Sequence, residues 1–228
     1  MTNARSEPRV QIIMTLVYII RHGETEWNLK GIHQGHKNSE LTQKGKEQAD
    51  RLGQRFKESN LAFNSIYSSD LGRSLDTAQR ICEPIGQKEQ IIKIECLRER
   101  ALGVLEGLTY DEIKEKLPKD YLEHTSGNPN YKPDGGESWK DTHDRVERAF
   151  SDIVKNHENE QILCVTHGGI VSMMLRLCLN ISLTQKRKFG IPNTGINIFE
   201  HRLDEGWRLR TWGDISHFKS SEVLDEML

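Results

Sequence analysis

The sequence predicts an α/β fold, a three-layer α/β/α sandwich around a mostly parallel central sheet. Two observations predict it. Short apolar, β-prone runs alternate with longer amphipathic runs in the order β-α-β-α-β-α-β-α. The amphipathic runs are long enough to act as crossover helices, and parallel strands need such connections.

The elements follow in order. Leu16 to Ile20 is apolar on both faces and reads as a fully buried strand. Leu41 to Glu58 reads as an amphipathic helix, with Ala49, Leu52 and Phe56 at helical spacing among Lys, Glu, Gln and Arg. Phe63 to Tyr67 is a second strand and Leu71 to Ile85 a second helix, with Leu71, Leu75, Ala78 and Ile81 or Cys82 on one face. Ile91 to Leu97 is a third strand. Thr109 with Glu112 makes a capping box for a short helix stopped at Pro118. Pro118 to Gly136, with three prolines and three glycines, reads as an irregular excursion of the kind that forms a lid or substrate loop. Ser138 to His157 is a long helix, Ile162 to Thr166 a fourth strand, and Ile170 to Leu179 a helix. Gly195 to Glu200 and Trp207 to Trp212 close the sheet. The expected organisation is an N-terminal extension over 1–13, one domain over 14–216 and a flexible tail over 217–228.

The bulk composition narrows the function classes. The chain has 228 residues, 35% hydrophobic and 29% charged, which describes a globule with a polar surface and a sizeable core. A net charge of −2 gives no reason to expect nucleic acid or an anionic membrane as partner. No run approaches the roughly 20 apolar residues of a membrane span. Val10 to Ile20 is interrupted by Gln11 and Thr15, follows Arg5, Glu7 and Arg9, and lacks a small-residue cleavage site, so it does not read as a signal peptide. Cys82, Cys96, Cys164 and Cys178 form no Cys-x-x-Cys pair and read as buried reduced thiols, which suits the cytoplasm. Homo-oligomerisation is compatible with the sequence.

The chemistry collects at strand ends. The first strand stops at Arg21-His22-Gly23, and the second leads through Ser68-Ser69-Asp70-Leu71-Gly72 to Arg73. The third gives Glu99 within Arg98-Glu99-Arg100, a run that would otherwise read as a solvated face, and the fourth gives His167. In a parallel sheet these ends share one edge, where ligands bind. Arginine forks suit phosphate. An imidazole can attack phosphorus when one nitrogen is unprotonated and the other is pinned by an acceptor. His22 is therefore the candidate nucleophile, and Arg21, Arg73 and His167 the phosphate pocket. Glu99 is the candidate general acid, returning as base against the phosphohistidine. No metal or other cofactor is required, since guanidinium groups can neutralise the charge. His33 and His36 are the alternative metal pair, but no cysteine or paired carboxylate accompanies them.

These residues resemble the signature of the histidine phosphatase superfamily, in its phosphoglycerate mutase-like branch. Arg21-His22-Gly23-Glu24-Thr25-Glu26-Trp27-Asn28 carries the resemblance first. Gln34-Gly35, Tyr67-Ser68-Ser69-Asp70-Leu71, Glu106-Gly107, Gly135-Gly136-Glu137-Ser138, Thr166-His167-Gly168-Gly169 and Pro192-Asn193-Thr194 extend it from about Leu16 to about Trp212. It implies a phosphoglycerate mutase-like fold and a phosphohistidine on His22. It also implies substrate or phosphate contacts from Asn28, Gln34, Gly35 and the Gly168 backbone. Mutases of this family carry a Tyr after the acid run, a Lys where this chain has Leu108, and a longer insertion with paired arginines. Here the run is Glu99-Arg100-Ala101-Leu102-Gly103, and 118–136 contains no arginine. The resemblance therefore implies a phosphatase acting on a small phosphorylated metabolite, a sugar phosphate or phosphocarboxylate. A 2,3-bisphosphoglycerate-dependent mutase is the alternative, and a non-catalytic phospho-ligand-binding module a weaker one. Lys37, Lys119 and Lys132 suggest that the substrate carries a second anionic end.

Overall fold

β1 (Met14–Arg21) and β4 (Gln161–Thr166) form the centre of the sheet, paired in parallel with Arg21 beside Thr166. In the computed structural model, which describes residues 14–218, the sheet has six strands in the order β3-β2-β4-β1-β5-β6. β2 (Ser65–Ser68) and β3 (Ile91–Lys93) continue the parallel part. β5 (Ile196–Arg202) runs antiparallel to β1, and β6 (Gly206–Asp214) antiparallel to β5. The sheet is mostly parallel, as expected.

Helices cover both faces, which explains the unbroken apolar character of β1 and β4. Val17, Ile19, Ile162 and Cys164 point to one face, where Val146, Phe150 and Ile153 of α6 (Trp139–Lys155) and Ile170 to Leu175 of α7 (Gly168–Leu179) pack. Ile20, Leu163 and Val165 point to the other face. They meet Ala49, Leu52 and Phe56 of α2 (Gln43–Glu58) and Ala78, Ile81 and Cys82 of α3 (Gly72–Cys82). The period of two along each strand thus sorts alternate side chains into two cores.

The third strand is shorter than expected. Beyond Lys93 the chain leaves the sheet edge and turns through a 3₁₀ segment, Glu95–Leu97, which buries Leu97 completely. The region from Pro118 is partly helical rather than irregular. Pro118 ends α4 (Tyr110–Lys116) and also opens α5 (Pro118–Ser126) at its first position, where proline's fixed φ suits a helix start. Only 127–136 remains non-helical, a run of turns and loop that ends where Gly136 bridges Leu102. A short helix not anticipated, α1 (Glu26–Leu29), forms because Thr25 and Asn28 make a capping box. α7 begins at Gly168, two residues earlier than the pattern suggested, with His167 as its N-cap.

At the C-terminal side the packed region reaches past 216. His217 Nε2 lies 3.1 Å from Thr194 Oγ1, and Phe218 is buried. The expectations for 1–13 and for 219–228 fall outside the described residues. All four cysteines are free thiols.

Candidate active site

The C-terminal ends of β1, β2 and β4 open on one cavity of about 490 Å³. His22 follows directly from β1, and its own backbone N–H donates to Thr166 O on β4. Asn193 Nδ2 donates to His22 O at 2.7 Å, and Thr194 N donates to Arg21 O at 2.9 Å. Thr194 holds a left-handed φ of 53°, a costly conformation for a β-branched residue. The Pro192-Asn193-Thr194 segment thus clamps the backbone of the Arg-His pair.

The His22 ring is almost fully buried. Its Nδ1 lies 2.7 Å from Gly23 O. A carbonyl can only accept, so Nδ1 carries the proton and Nε2 keeps its lone pair. Burial, then the charges of Arg73 and Arg21, hold this imidazole well below its ordinary pKa, against a smaller upward push from the Gly23 carbonyl. The ring is therefore neutral at physiological pH. Gly23 must be glycine, because a Cβ there would stand 2.4 Å from Gly45 O at the start of α2.

Arg73 comes from the first turn of α3 and is buried to 1% exposure. Its Nη1 donates to Lys37 O and its Nη2 to Gly35 O, each at 2.8 Å. Its Nε donates to His167 Nδ1 at 3.2 Å. Burial lowers its pKa to about 10, so it stays charged at neutral pH. Arg21 donates from Nη1 to Ile191 O at 2.7 Å and lies beside the Gly168 backbone.

His167 is placed differently from expectation. It is completely buried behind Arg73, with Nδ1 on Arg73 and Nε2 within 2.8 Å of Ser69 Oγ and 3.2 Å of Ser74 Oγ. Burial and the Arg73 charge keep it neutral. Its ring centroid is 5.3 Å from that of His22.

Glu99 reaches the cavity from the segment after the 3₁₀ turn. Its Oε1 accepts from Arg100 N at 2.8 Å and its Oε2 from Gly169 N at 2.9 Å, one of the N–H groups that the first turn of α7 leaves over. A Cβ at Gly169 would sit 2.1 Å from Glu99 Oε1, so this approach requires glycine. Arg145 on α6 fixes the segment by donating to Cys96 O and Arg98 O, and its ion pair with Glu137 completes the brace. Arg98 points the other way, to Asp70 on the surface.

Asn28 and Gln34 line the same cavity through Thr25, whose Oγ1 donates to Asn28 Oδ1 and accepts from Gln34 Nε2 at 2.8 Å. Gln34 Oε1 is buried without a partner. Gly35 lines the wall and holds Arg73. Of the nine residues read from sequence as catalytic or substrate-binding, all but His167 border the cavity directly, whereas His36, Lys37, Lys119 and Lys132 do not.

The His33 and His36 pair is otherwise engaged. His33 Nδ1 meets Leu108 O at 3.2 Å, and His36 Nε2 meets Glu99 O at 2.8 Å. Among the described residues, one set of possible metal ligands, His143, Asp144 and Glu147, clusters on α6 outside the cavity.

The sequence reading missed Arg100, Trp139, His124 and Arg176 in the cavity wall. Arg100 was hidden by the charged run around it. The signal was the dipeptide itself, since a side chain next to an inward-facing Glu99 shares its bend in the chain.

The model of the histidine phosphatase superfamily (branch 1) matches residues 17–215. The chain belongs to this superfamily. It is 35% identical to phosphoglycerate mutase-like protein 4 of Arabidopsis thaliana over 210 residues, covering 91% of this chain and 89% of that protein. It is 34% identical to a metal-independent phosphoserine phosphatase of the same plant, over 95% of this chain and 88% of the relative. Among solved structures, a phosphoserine phosphatase from Entamoeba histolytica in complex with phosphoserine superposes with a TM-score of 0.76. It shares 33% identity and covers 90% of this chain and 100% of its own. Membership makes the chain a histidine phosphatase in fold and accounts for the motif order. Among the described residues, no helix is long and apolar enough to cross a membrane.

Proposed function

We propose that this histidine phosphatase hydrolyses a small phosphomonoester, without a metal ion, by passing the phosphoryl group through His22. The observation that carries the reading is the state of His22, a neutral ring with Nδ1–H held by Gly23 O and Nε2 free at the cavity.

In the first half, Nε2 attacks phosphorus from behind the ester oxygen. The N–P bond forms as the P–O bond breaks, and Glu99 gives a proton to the departing alkoxide. In the second half, the Glu99 carboxylate takes a proton from water, the water oxygen bonds to phosphorus, and the N–P bond breaks to release phosphate. Arg21 and Arg73 lie where charge builds on the equatorial oxygens, with the Gly168 N–H at the helix start as a further donor. Asn28 and Gln34 supply amide donors from the Thr25 side. His167 acts behind Arg73, as a neutral acceptor fixing the guanidinium. The four free thiols, all raised above the ordinary cysteine pKa by burial, suit a reducing compartment, and we place the enzyme in the cytoplasm.

Brief incubation with ³²P-labelled phosphoserine, followed by quenching, tests the reading. The expected product is an acid-labile, alkali-stable phosphoprotein, absent from His22→Ala and formed equally in EDTA. Label surviving in His22→Ala overturns the mechanism. Interconversion of 3- and 2-phosphoglycerate without net phosphate release would mean a mutase instead.

A further inference from the structure

Thr194 stands where the backbone suits glycine. Gly195 N donates to Pro192 O at 3.2 Å, closing a four-residue turn with Thr194 in third place at a φ of 53°. Glycine or asparagine ordinarily fills that position. Among the described residues, the other non-glycine residues at positive φ are Asn60, Asn159 and Asn180, all asparagines. Thr194 is completely buried, and a β-branched residue keeps such a conformation only where its surroundings impose it.

The turn bears on the nucleophile from two sides. Thr194 N donates to Arg21 O and Asn193 Nδ2 to His22 O, the two carbonyls that bracket His22. The turn is itself held by the C-terminal segment, where His217 Nε2 lies 3.1 Å from Thr194 Oγ1. His217 Nδ1 is buried without a partner. An unpartnered buried N–H is rarer than an unpartnered acceptor, so the ring proton belongs on Nε2, which donates to Thr194. Burial keeps the ring neutral, with its pKa lowered to about 4. Its neighbours anchor His217 in turn. Asp214, at the end of β6, pairs with Arg55 of α2 at 2.6 Å and accepts from Ser216 N at 2.9 Å. The buried Phe218 ring lies 4.5 Å from the imidazole.

We propose that His217 is a positioning residue for the nucleophile: it holds Thr194 in the left-handed turn that aims the His22 ring into the cavity. Released from His217, the threonine relaxes toward negative φ, and its N–H turns away from Arg21 O. A glycine would keep the turn unaided and offer the C-terminal segment nothing to hold. The threonine hydroxyl thus couples the docking of residues 214–218 to the line of attack of His22 Nε2. His217 does not border the cavity, so it reaches the chemistry through Thr194 alone.

The inference rests on the His22 reading. Single-turnover release of p-nitrophenolate, with enzyme in excess over p-nitrophenyl phosphate, tests it. That leaving group needs no proton, so the rate reads nucleophilic attack without Glu99. His217→Ala, measured below its melting transition, is expected to slow this step about tenfold, the scale for a misaimed reacting group. His217→Gln, which keeps an N–H donor, is expected to recover most of the rate. Introduced into Thr194→Gly, His217→Ala is expected to change the rate less than twofold, because no hydroxyl remains to hold. A role in stability alone would not vanish with that hydroxyl. An undiminished rate in His217→Ala, no recovery in His217→Gln, or the same tenfold loss in the Thr194→Gly background overturns the proposal. Should His217→Ala not fold, His217→Phe fills the same space without a donor and decides by the same comparison. Phosphoenzyme formation separates the two levels. If the wild type never labels His22, the mechanism fails, whereas labelling at a rate that ignores His217 defeats only the positioning role.

Discussion

Arg73 Nε donates to His167 Nδ1, and this one bond sets the state of both residues. Because Nδ1 accepts, the His167 proton sits on Nε2, where Ser69 and Ser74 Oγ atoms receive it. A neutral ring behind the guanidinium adds no competing charge. With Nη1 and Nη2 held by two backbone carbonyls, the fork is oriented before phosphate arrives. Preorganisation of this kind avoids reorganisation during the reaction.

Arg73→Lys tests that orientation. Lysine keeps the charge and loses the planar fork, so it can satisfy only part of the three-point anchorage. The expected loss in kcat/KM is about 10²-fold or more, the scale for one preorganised transition-state donor. Steady-state kinetics with a melting curve checks it. A loss under threefold in a folded protein would show that charge alone suffices.

The buried histidines predict an acid-side weakness. Burial, followed by the Arg73 charge, holds His22 and His167 well below 6.5, and burial takes His124 and His217 to about 4. As pH falls through 6.5 the unfolded chain takes protons that the folded chain refuses. Stability is thus complete above 6.5 and declines from there toward about 4, with a limiting slope of about 1.4 kcal/mol per pH unit for each such histidine. Urea unfolding at pH 7.5, 6 and 5 should show it. The acid limb of kcat/KM should likewise fall below 6.5, and a limb centred at 7 would contradict a neutral, depressed His22.

Much of this site was legible because strand ends are legible. The apolar runs ending at Arg21-His22 and Thr166-His167 located two neighbouring strand ends, and register places Arg21 beside Thr166. Glu99 was found through the same rule, although its strand ends early and a 3₁₀ turn delivers it. What stayed hidden depended on contacts between distant segments. His167 read as a phosphate ligand because nothing local shows that Ser69 and Arg73 occupy both its nitrogens. Arg100 read as solvated because its burial is set by Glu137 and Trp139, nearly 40 positions later. Pro118 read as a stop, because a proline that ends one helix and starts the next has no separate local signature.

Gly169→Ala should disable the acid without disturbing the fold. The added Cβ would fall 2.1 Å from Glu99 Oε1, and the Gly169 N–H now donates to Oε2. Displacing the carboxylate weakens proton transfer, which general acid catalysis makes worth about 10²-fold or more. The loss should shrink for p-nitrophenyl phosphate, whose leaving group departs without a proton, compared with phosphoserine. Equal losses on both would mean that Gly169 serves phosphate binding rather than Glu99.

Thr25→Val should loosen the amide side of the pocket. Thr25 is completely buried, and its Oγ1 accepts from Gln34 Nε2 and Asn28 N while donating to Asn28 Oδ1. Valine keeps the shape and removes the cap, leaving these amides without their common partner. Loss of the cap alone costs about 1 kcal/mol, and the buried Gln34 donor adds about 1–3 kcal/mol. A melting point several degrees lower is expected, with a rise in KM as Asn28 and Gln34 lose their aim. Thr25→Ser keeps the hydroxyl and should recover both quantities. If serine fails to restore KM while restoring the melting point, the two amides do not contact the substrate and Thr25 only caps its helix.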